Sequence, residues 1–363
     1  MIVTRLNVRN FRCIEQASLE AHPHINVIVG PNGAGKTTIL EALHLMAYGR
    51  SFRGRPSEGL IRNGAAELEV FVEWMDPSRT PALERRAGLR HGGKEWTGRL
   101  DGQDVSQLGE LCSALAVVTF EPESHQLVTG SADGRRRFMD WGLFHVEHRF
   151  LPIWRRYSRA LKQRNALLKQ HAPAAQLDAW DRELALSGTE VNTFRRQYIA
   201  DIAPSVGLLS AEVAPSVRIL DLEFSDGWRS DQMDLADALL MHRDRDRATG
   251  YTSVGPHRAD FKPVFVDIKD RDQLSRGQAK LAALSVLLGQ ASHLSSRVGT
   301  PIIALDDVAS ELDANHQQRV FEVIRKNFHQ IWVTATATPV DFGDAYTDDS
   351  VGMFHVEHGQ VRR

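Results

Sequence analysis

The feature that most narrows what this chain can fold into is the run Gly30-Pro-Asn-Gly-Ala-Gly-Lys36-Thr37. It matches G-x-x-x-x-G-K-[ST] at every fixed position. Ile25–Val29 before it is apolar throughout, as a strand buried on both faces of a sheet would be. After it, Ile39, Leu40, Leu43 and Ala47 fall at helical spacing, so an amphipathic helix is expected over Thr37–Ala47. Strand, glycine-rich turn and helix in that order point to an α/β fold. The glycines let backbone N–H groups turn inward around phosphate oxygens, and the helix start adds partial positive charge. The candidate ATP-binding residues are Gly30, Pro31, Asn32, Gly33, Ala34, Gly35, Lys36, Thr37 and Thr38. Lys36 is expected to reach the β- and γ-phosphates, and Thr37 to hold Mg²⁺ through its hydroxyl.

The chain is 363 residues long, room for two or three domains. Its 44 Lys+Arg and 46 Asp+Glu give a net charge of −2, which offers no global attraction to nucleic acid. A local patch does exist. Ten Lys/Arg fall between Arg135 and Lys169, opposed only by Asp140 and Glu147, so that segment is formally +8 and leaves −10 for the rest. Phosphate neutralisation needs clustered cations, and Arg155, Arg159 and Lys162 form a helical stripe there; they are the candidate DNA contacts. No apolar run approaches the ~20 residues of a membrane span. The opening MIVTRLNVRNFR is charged and alternating, unlike a secretory signal. Cys13 and Cys112 have no metal spacing and are expected to be small buried hydrophobes in a reducing cytoplasm.

Along the chain, Ile2–Phe11 alternates as a strand, with Ile2, Thr4, Leu6 and Val8 on one face. Residues 65–121 read as short strands and turns, including Gly92–Gly93 and Asp101–Gly102. Beyond residue 140, Trp154, Tyr157, Leu161 and Leu168 share one helical face. A break at Ala172–Pro173 precedes a seven-residue recurrence of Leu177, Leu184, Val191 and Tyr198. This predicts a short antiparallel helical hairpin, an arm of roughly 25 Å. Residues 243–250, RDRDRATG, read as a linker. Strand-like Phe261–Ile268, Pro301–Leu305 and Ile331–Val333 then alternate with helical Gly277–Gln290 and Gln317–Phe328. The expected organisation is residues 1–140 and 246–363 as two parts of one α/β domain, interrupted by a helical lobe at 141–245. The repeat Phe-His-Val-Glu-His at 144–148 and 354–358 has unmatched flanks and fits no zinc pattern.

Two further segments carry chemistry. Ile302-Ile-Ala-Leu-Asp306-Asp307 is a buried strand ending in acids; Asp306 is the candidate Mg²⁺ ligand beside Thr37. Asp307 is the candidate catalytic residue, polarising a water, with Lys36 neutralising phosphate charge. Leu274-Ser275-Arg276-Gly277-Gln278 opens a helix 31 residues before Asp306 and resembles the LSGGQ signature of ABC-type ATPases. That resemblance implies that Ser275, Arg276, Gly277 and Gln278 contact nucleotide held by a second subunit, so that ATP is sandwiched in a dimer.

Asn10-Phe11-Arg12 is similar to the opening of long-armed SMC-type ATPases. Several other runs look more like the bacterial RecF family: Val118–Glu123, Arg135–Asp140, Leu161–Asn165, Tyr251–Arg258 and Asp306–Asp313. The likeness spans residues 1 to about 340 and implies an ABC-type ATPase head with mixed β-sheets. It also implies an ATP-dependent homodimer that binds double-stranded DNA and gapped or single-stranded junctions in replication, DNA-damage repair, recombination and the SOS response. RecR and RecO would be its partners, placing RecA on single-stranded DNA, in the cytoplasm and away from membranes. Ser310–Asp313 resembles the D-loop of the superfamily, and His257 and Arg258 fall in a family motif near the nucleotide. Two departures imply a weak ATPase used as a switch. Thr334-Ala-Thr-Ala-Thr338 stands where a switch histidine is usual, leaving the Thr336 or Thr338 hydroxyl, and Phe120 stands where SMC relatives place a metal-facing Gln, with Gln126 the nearest downstream. The other classes weighed are an ABC-type nucleotide-binding subunit of a transporter and an SMC-like DNA organiser.

Overall fold

A computed structural model of the chain describes residues 1–53, 59–77, 81–93, 95–336 and 350–362, with Ala309 described by its backbone alone. Thr338 lies outside the described residues.

In chain order the elements begin with β1 (Ile2–Phe11), β2 (Ile14–Glu20), β3 (Ile25–Val29), α1 (Lys36–Tyr48), β4 (Leu68–Asp76), β5 (Leu83–His91), β6 (Trp96–Leu100) and β7 (Gln103–Asp104). Next come α2 (Leu108–Ala114), β8 (Val117–Phe120), α3 (Gln126–Thr129), α4 (Ala132–Val146), α5 (Phe150–Lys169) and α6 (Ala174–Val213). They are followed by β9 (Ile219–Ser225), α7 (Leu235–Met241), α8 (Arg243–Thr249), β10 (Asp260–Phe265) and α9 (Arg276–Arg297). The chain closes with β11 (Ile302–Leu305), α10 (Val308–Glu311), α11 (Ala314–Asn327), β12 (Ile331–Ala335), β13 (Val351–Glu357) and β14 (Gln360–Arg362). No helix among the described residues is long and apolar enough to cross a membrane.

Two compact units divide these elements. The first holds Met1–His125, Leu209–Ser216 and Ser275–Arg363, and the second Gln126–Leu208 and Val217–Leu274. The first unit has two six-stranded sheets, β2-β1-β4-β5-β6-β7 and β14-β13-β3-β12-β11-β8. The former is antiparallel. In the latter, β13, β3, β12, β11 and β8 run parallel, which puts the C-terminal ends of β3, β8, β11 and β12 at one edge. The residues after β3 and β11 are the phosphate-loop run and the Asp-Asp pair, so the topology itself places them together.

Helix α1 is enclosed more fully than the amphipathic pattern predicted, with every residue from Thr38 to Ala47 buried. Its polar members are satisfied inside. Glu41 takes the Arg12 guanidinium at 2.7 Å, and His44 Nδ1 lies 3.0 Å from Thr119 Oγ1. Strand β1 also departs from the alternation read from its sequence. A bulge between Val3 and Arg5 shifts the register, so Val3, Leu6 and Val8 face the core and Thr4 does not. Cys13 is exposed, because it sits in the tight turn between β1 and β2 (Arg12 φ 56°) and not on a buried strand face. Burial instead governs Cys112, pushing its thiol up to about 12.

In the second unit, Leu177, Leu184, Val191 and Tyr198 are all buried along α6 as the recurrence implied. The helix runs 40 residues, about 60 Å at 1.5 Å each, well beyond the short arm expected. Pro204 lies inside it. The supposed linker at 243–250 is helix α8, and its Asp246 is fully buried. The two Phe-His-Val-Glu-His copies adopt different structures, the end of a helix and a strand.

Candidate functional site

The phosphate-loop run bridges β3 and α1 in the first unit. Gly35 (φ 116°) occupies the helix N-cap in a backbone conformation that L side chains avoid. Gly30 is required for another reason. A Cβ there would stand 2.1 Å from the Val356 carbonyl oxygen, because β13 passes directly beside the loop. The C-terminal hairpin also holds the loop by a 3.0 Å hydrogen bond from the Gly359 N–H to the Ala34 carbonyl. Nothing in the sequence linked these residues to the loop, since Val356 stands 326 positions from Gly30 and Gly359 stands 325 from Ala34.

Lys36 is 7% exposed. Its ammonium donates to the carbonyls of Gly30 at 2.7 Å and Pro31 at 3.1 Å. Among the described residues no carboxylate pairs with it. A nearly buried cation met only by carbonyl dipoles is a site that an anionic ligand would complete.

Thr37 and Asp306 are brought together as expected. The Thr37 hydroxyl donates to Asp306 Oδ1 at 2.9 Å, and the Thr334 hydroxyl donates to the same atom at 2.8 Å. Asp306 is 3% exposed, and burial raises its pKa while the two hydroxyl bonds act against that shift. Carboxylate and hydroxyl oxygens at one point form the hard donor set that suits Mg²⁺.

Asp307 takes a left-handed backbone (φ 53°) at the N-cap of α10, and its N–H donates to Thr334 Oγ1 at 2.8 Å. Thr334 therefore fixes both acids. The register of β11 against β12 pairs Leu305 with Val333, so Asp306 and Thr334 are level on neighbouring strands. The hydroxyl beside the two acids is thus that of Thr334, where the sequence suggests Thr336 or Thr338. The signal available was its place at the end of an apolar strand, with Thr336 one step further out and exposed.

Phe120, raised as the counterpart of a metal-facing Gln, is 1% exposed in the core. The residue at the strand end is Glu121, following the Phe120 carbonyl that accepts from the Asp306 N–H at 2.8 Å. Burial pushes its carboxyl up to about 7, opposed by the Glu123 N–H that donates to it at 2.7 Å. Gln126 opens α3 in the second unit.

Ser275 is the N-cap of α9 in a capping box. Its Oγ accepts from the Gln278 N–H at 3.2 Å, and the Gln278 side chain accepts from the Ser275 N–H at 2.9 Å. Ser275, Arg276 and Gly277 are exposed, and a Cβ on Gly277 would meet nothing within 4 Å. Within its own chain, then, Gly277 has no steric reason to be glycine.

The basic segment of the second unit separates into paired and unpaired cations. Arg135 is buried on Asp260 at 2.6 Å, Arg137 and Arg136 pair with Asp133, Arg149 with Glu147, and Arg156 with Glu183. Arg164 is 0% exposed, bonded to Asp181 at 2.5 Å, Asp246 at 2.7 Å and Thr252 at 2.9 Å. It contributes nothing to a surface patch. Arg155, Arg159 and Lys162 have no ion pair or hydrogen bond among the described residues; Arg159 and Lys162 are exposed and Arg155 half-buried. At i, i+4 and i+7 they form one stripe along α5.

His257 accepts from the Tyr157 hydroxyl at Nδ1 (2.7 Å) and donates from Nε2 to the Thr252 carbonyl (2.9 Å). Burial lowers its pKa to about 4, so it is a neutral internal tether. Arg258 is exposed and stacks over the Tyr251 ring at 5.7 Å.

Comparison with known proteins gives a consistent answer. Residues 2–362 match the family model described as the RecF/RecN/SMC N terminal domain. The DNA replication and repair protein RecF of Stenotrophomonas maltophilia (strain R551-3) is 55% identical over 363 residues, covering 99% of both chains. That of Pseudomonas paraeruginosa (strain DSM 24068 / PA7) is 37% identical, covering 99% of this chain and 97% of its own. A solved structure of the recombination mediator protein RecF-ATP in the RecFOR pathway superposes with a TM-score of 0.85 at 25% identity, over 99% of this chain and 97% of that one. An Smc head bound to the C-winged helix domain of ScpA shares the fold at a TM-score of 0.57 and 14% identity, covering 100% and 97%.

Proposed function

The chain belongs to the RecF family of DNA replication and repair proteins, and from that premise we propose that it is an ATP-dependent DNA-binding switch of recombinational repair. One observation carries this reading: a buried Asp306 carboxylate joined by hydroxyls of Thr37 and Thr334, beside a Lys36 ammonium lacking any carboxylate partner among the described residues. Gly30–Thr38 would enclose the triphosphate of ATP, with Lys36 offsetting its charge. Thr37 and Asp306 would hold Mg²⁺. Mg²⁺ bound with ATP supplies a divalent charge that offsets negative charge developing on the transferred phosphoryl group. Asp307, held by Thr334, would orient the attacking water and accept its proton.

Asp307 is one methylene shorter than the Glu usual in ABC-type ATPases, and a misplacement of about 1 Å can cost on the order of 10²-fold in rate. Turnover is therefore slow, and the ATP-bound state is long-lived. Ser275, Arg276, Gly277 and Gln278 would cover the γ-phosphate held by a second copy, which is consistent with the open space around Gly277. Two ATP molecules would then clamp a homodimer. Arg155, Arg159 and Lys162 would meet the backbone of double-stranded or gapped DNA. The RecFOR pathway named for the similar structure supports RecR and RecO as partners. RecA would act downstream of them, in the cytoplasm.

The test is sedimentation of the full chain alone, with ATP and Mg²⁺, and then with a gapped duplex. We expect a monomer, a dimer and a dimer–DNA complex in turn. Absence of nucleotide binding, or a monomer at saturating ATP, refutes the proposal.

A further inference from the structure

Lys280 and Glu311 form an ion pair that ties the first turns of α9 to α10, with side chains 13% and 17% exposed. Other charges converge on the same ammonium. Arg276, one turn back on α9, repels it, and Glu123, in the turn over Pro122–His125 against which α9 packs, attracts it. All of these segments belong to the first unit. Removing one member leaves the other short of its nearest opposite charge where little water reaches, so the pair resists separation.

From Glu311 the connection runs back to Asp307. Helix α10 is only one turn long, and the Ser310 N–H and hydroxyl both bond the Asp307 carbonyl at 3.0 Å. From Lys280 it runs back to Ser275, because the capping box and a 2.9 Å bond from the Ala279 N–H to the Ser275 carbonyl fix Ser275 to the turn that immediately precedes Lys280. A continuous path of an ion pair and two helix starts thus joins the exposed Ser275 face to the acid beside Thr334.

We propose that Lys280 is a positioning residue that makes the Ser275 helix start and the Ser310–Asp313 segment move as one piece, so that contact of the Ser275 face with nucleotide on a second copy is passed to Asp307. This rests on the trans arrangement proposed above. The coupling is electrostatic, so it should tolerate exchange of the two charges.

The test uses Lys280→Glu, Glu311→Lys and the double exchange in the full chain. Without nucleotide, amide hydrogen exchange is expected to rise reciprocally: at 308–313 in Lys280→Glu and at 276–281 in Glu311→Lys. Nucleotide affinity should stay within about twofold, since the Gly30–Thr38 loop is untouched, while ATP-driven dimerisation and single-turnover hydrolysis each fall about tenfold. The double exchange should restore both properties. Exchange that rises only around the altered residue, or a double variant no better than the singles, overturns the inference. So does a parallel loss of nucleotide affinity and melting temperature, which marks a merely structural pair. A parental chain that stays monomeric with ATP would instead defeat the functional reading, and the exchange measurement would still decide whether the two segments are linked.

Discussion

Thr37 and Asp306, 269 positions apart in the chain, meet through a hydrogen bond of 2.9 Å from hydroxyl to carboxylate. Thr334 meets the same oxygen from the neighbouring strand, and its own oxygen accepts from Asp307. Removing that hydroxyl leaves a buried carboxylate short of a partner and frees the Asp307 backbone. A buried polar group left unsatisfied costs about 1–3 kcal/mol. Thr334→Val should slow single-turnover ATP hydrolysis at least tenfold and weaken the Mg²⁺ dependence of nucleotide binding. Thr334→Ser, which keeps the hydroxyl, should stay within about threefold. Equal rates in the two variants would remove Thr334 from the site.

The two acids should separate by role. Asp307→Asn keeps size and removes the base, so ATP-driven dimerisation and DNA binding should persist while hydrolysis stops. Asp306→Asn should weaken Mg²⁺ binding and, with it, the ATP dimer. Single-turnover kinetics beside analytical ultracentrifugation reads both. Hydrolysis at the parental rate in Asp307→Asn would place the base elsewhere; Glu311 is a poor substitute, being engaged by Lys280.

Replacing Arg155, Arg159 and Lys162 with Ala should weaken binding to all DNA sequences about equally. The slope of log affinity against log salt should fall by roughly three units, near one per phosphate contact. Because these cations have no partners among the described residues, thermal stability should hardly change. Arg137→Ala is the control, since its guanidinium is engaged by Asp133. An unaltered salt slope in the triple variant would show that the stripe is merely solvated.

Asp246→Ala should destabilise the second unit by about 3–5 kcal/mol, because it leaves the fully buried Arg164 with one carboxylate in place of two. Asp244→Ala, exposed on the same helix, should change stability by under about 0.5 kcal/mol. Urea midpoints of the two variants decide it. Equal midpoints would mean that α8 is peripheral to the unit.

Acid should weaken the fold through its buried histidines. Burial lowers His257 to about 4 and His44 to about 3, below the ordinary value of 6.5. Their contribution is complete above pH 6.5 and is lost as pH falls toward those folded values, because the unfolded chain takes up protons first. Glu121, raised to about 7, acts in the opposite sense, its charge becoming costlier as pH rises from about 4.5. His257→Gln should flatten the fall in urea midpoint between pH 6.5 and 4.5, and Glu121→Gln should steepen it. A parental midpoint that stayed constant over that range would sink the assignment.

What the sequence by itself determined is the set of features whose physics is complete within a few residues. The phosphate-loop run needs only local backbone freedom and a helix start. The Ser275–Gln278 capping box closes on itself in three residues, and Asp101 (φ 51°) and Gly102 (φ 87°) turn the chain between β6 and β7 as that dipeptide suggests. Seven-residue recurrence placed the buried face of α6 because it is a property of one helix. What only the tertiary structure decided is every matter of partnership. Ten like charges in one segment look alike in sequence, and whether a given arginine is spent or free depends on a carboxylate elsewhere. Arg164 finds its partners 17 and 82 positions away, while Arg159 finds none among the described residues. The same holds for the supposed linker, which folds as α8 because Asp246 has Arg164 to bury against. It holds for Gly30, whose missing side chain makes room for Val356, and for Thr334, whose role exists only once β12 lies beside β11. Local dihedral preference is written along the chain. Charge pairing and close approach are set by distance in space, and the fold alone supplies that.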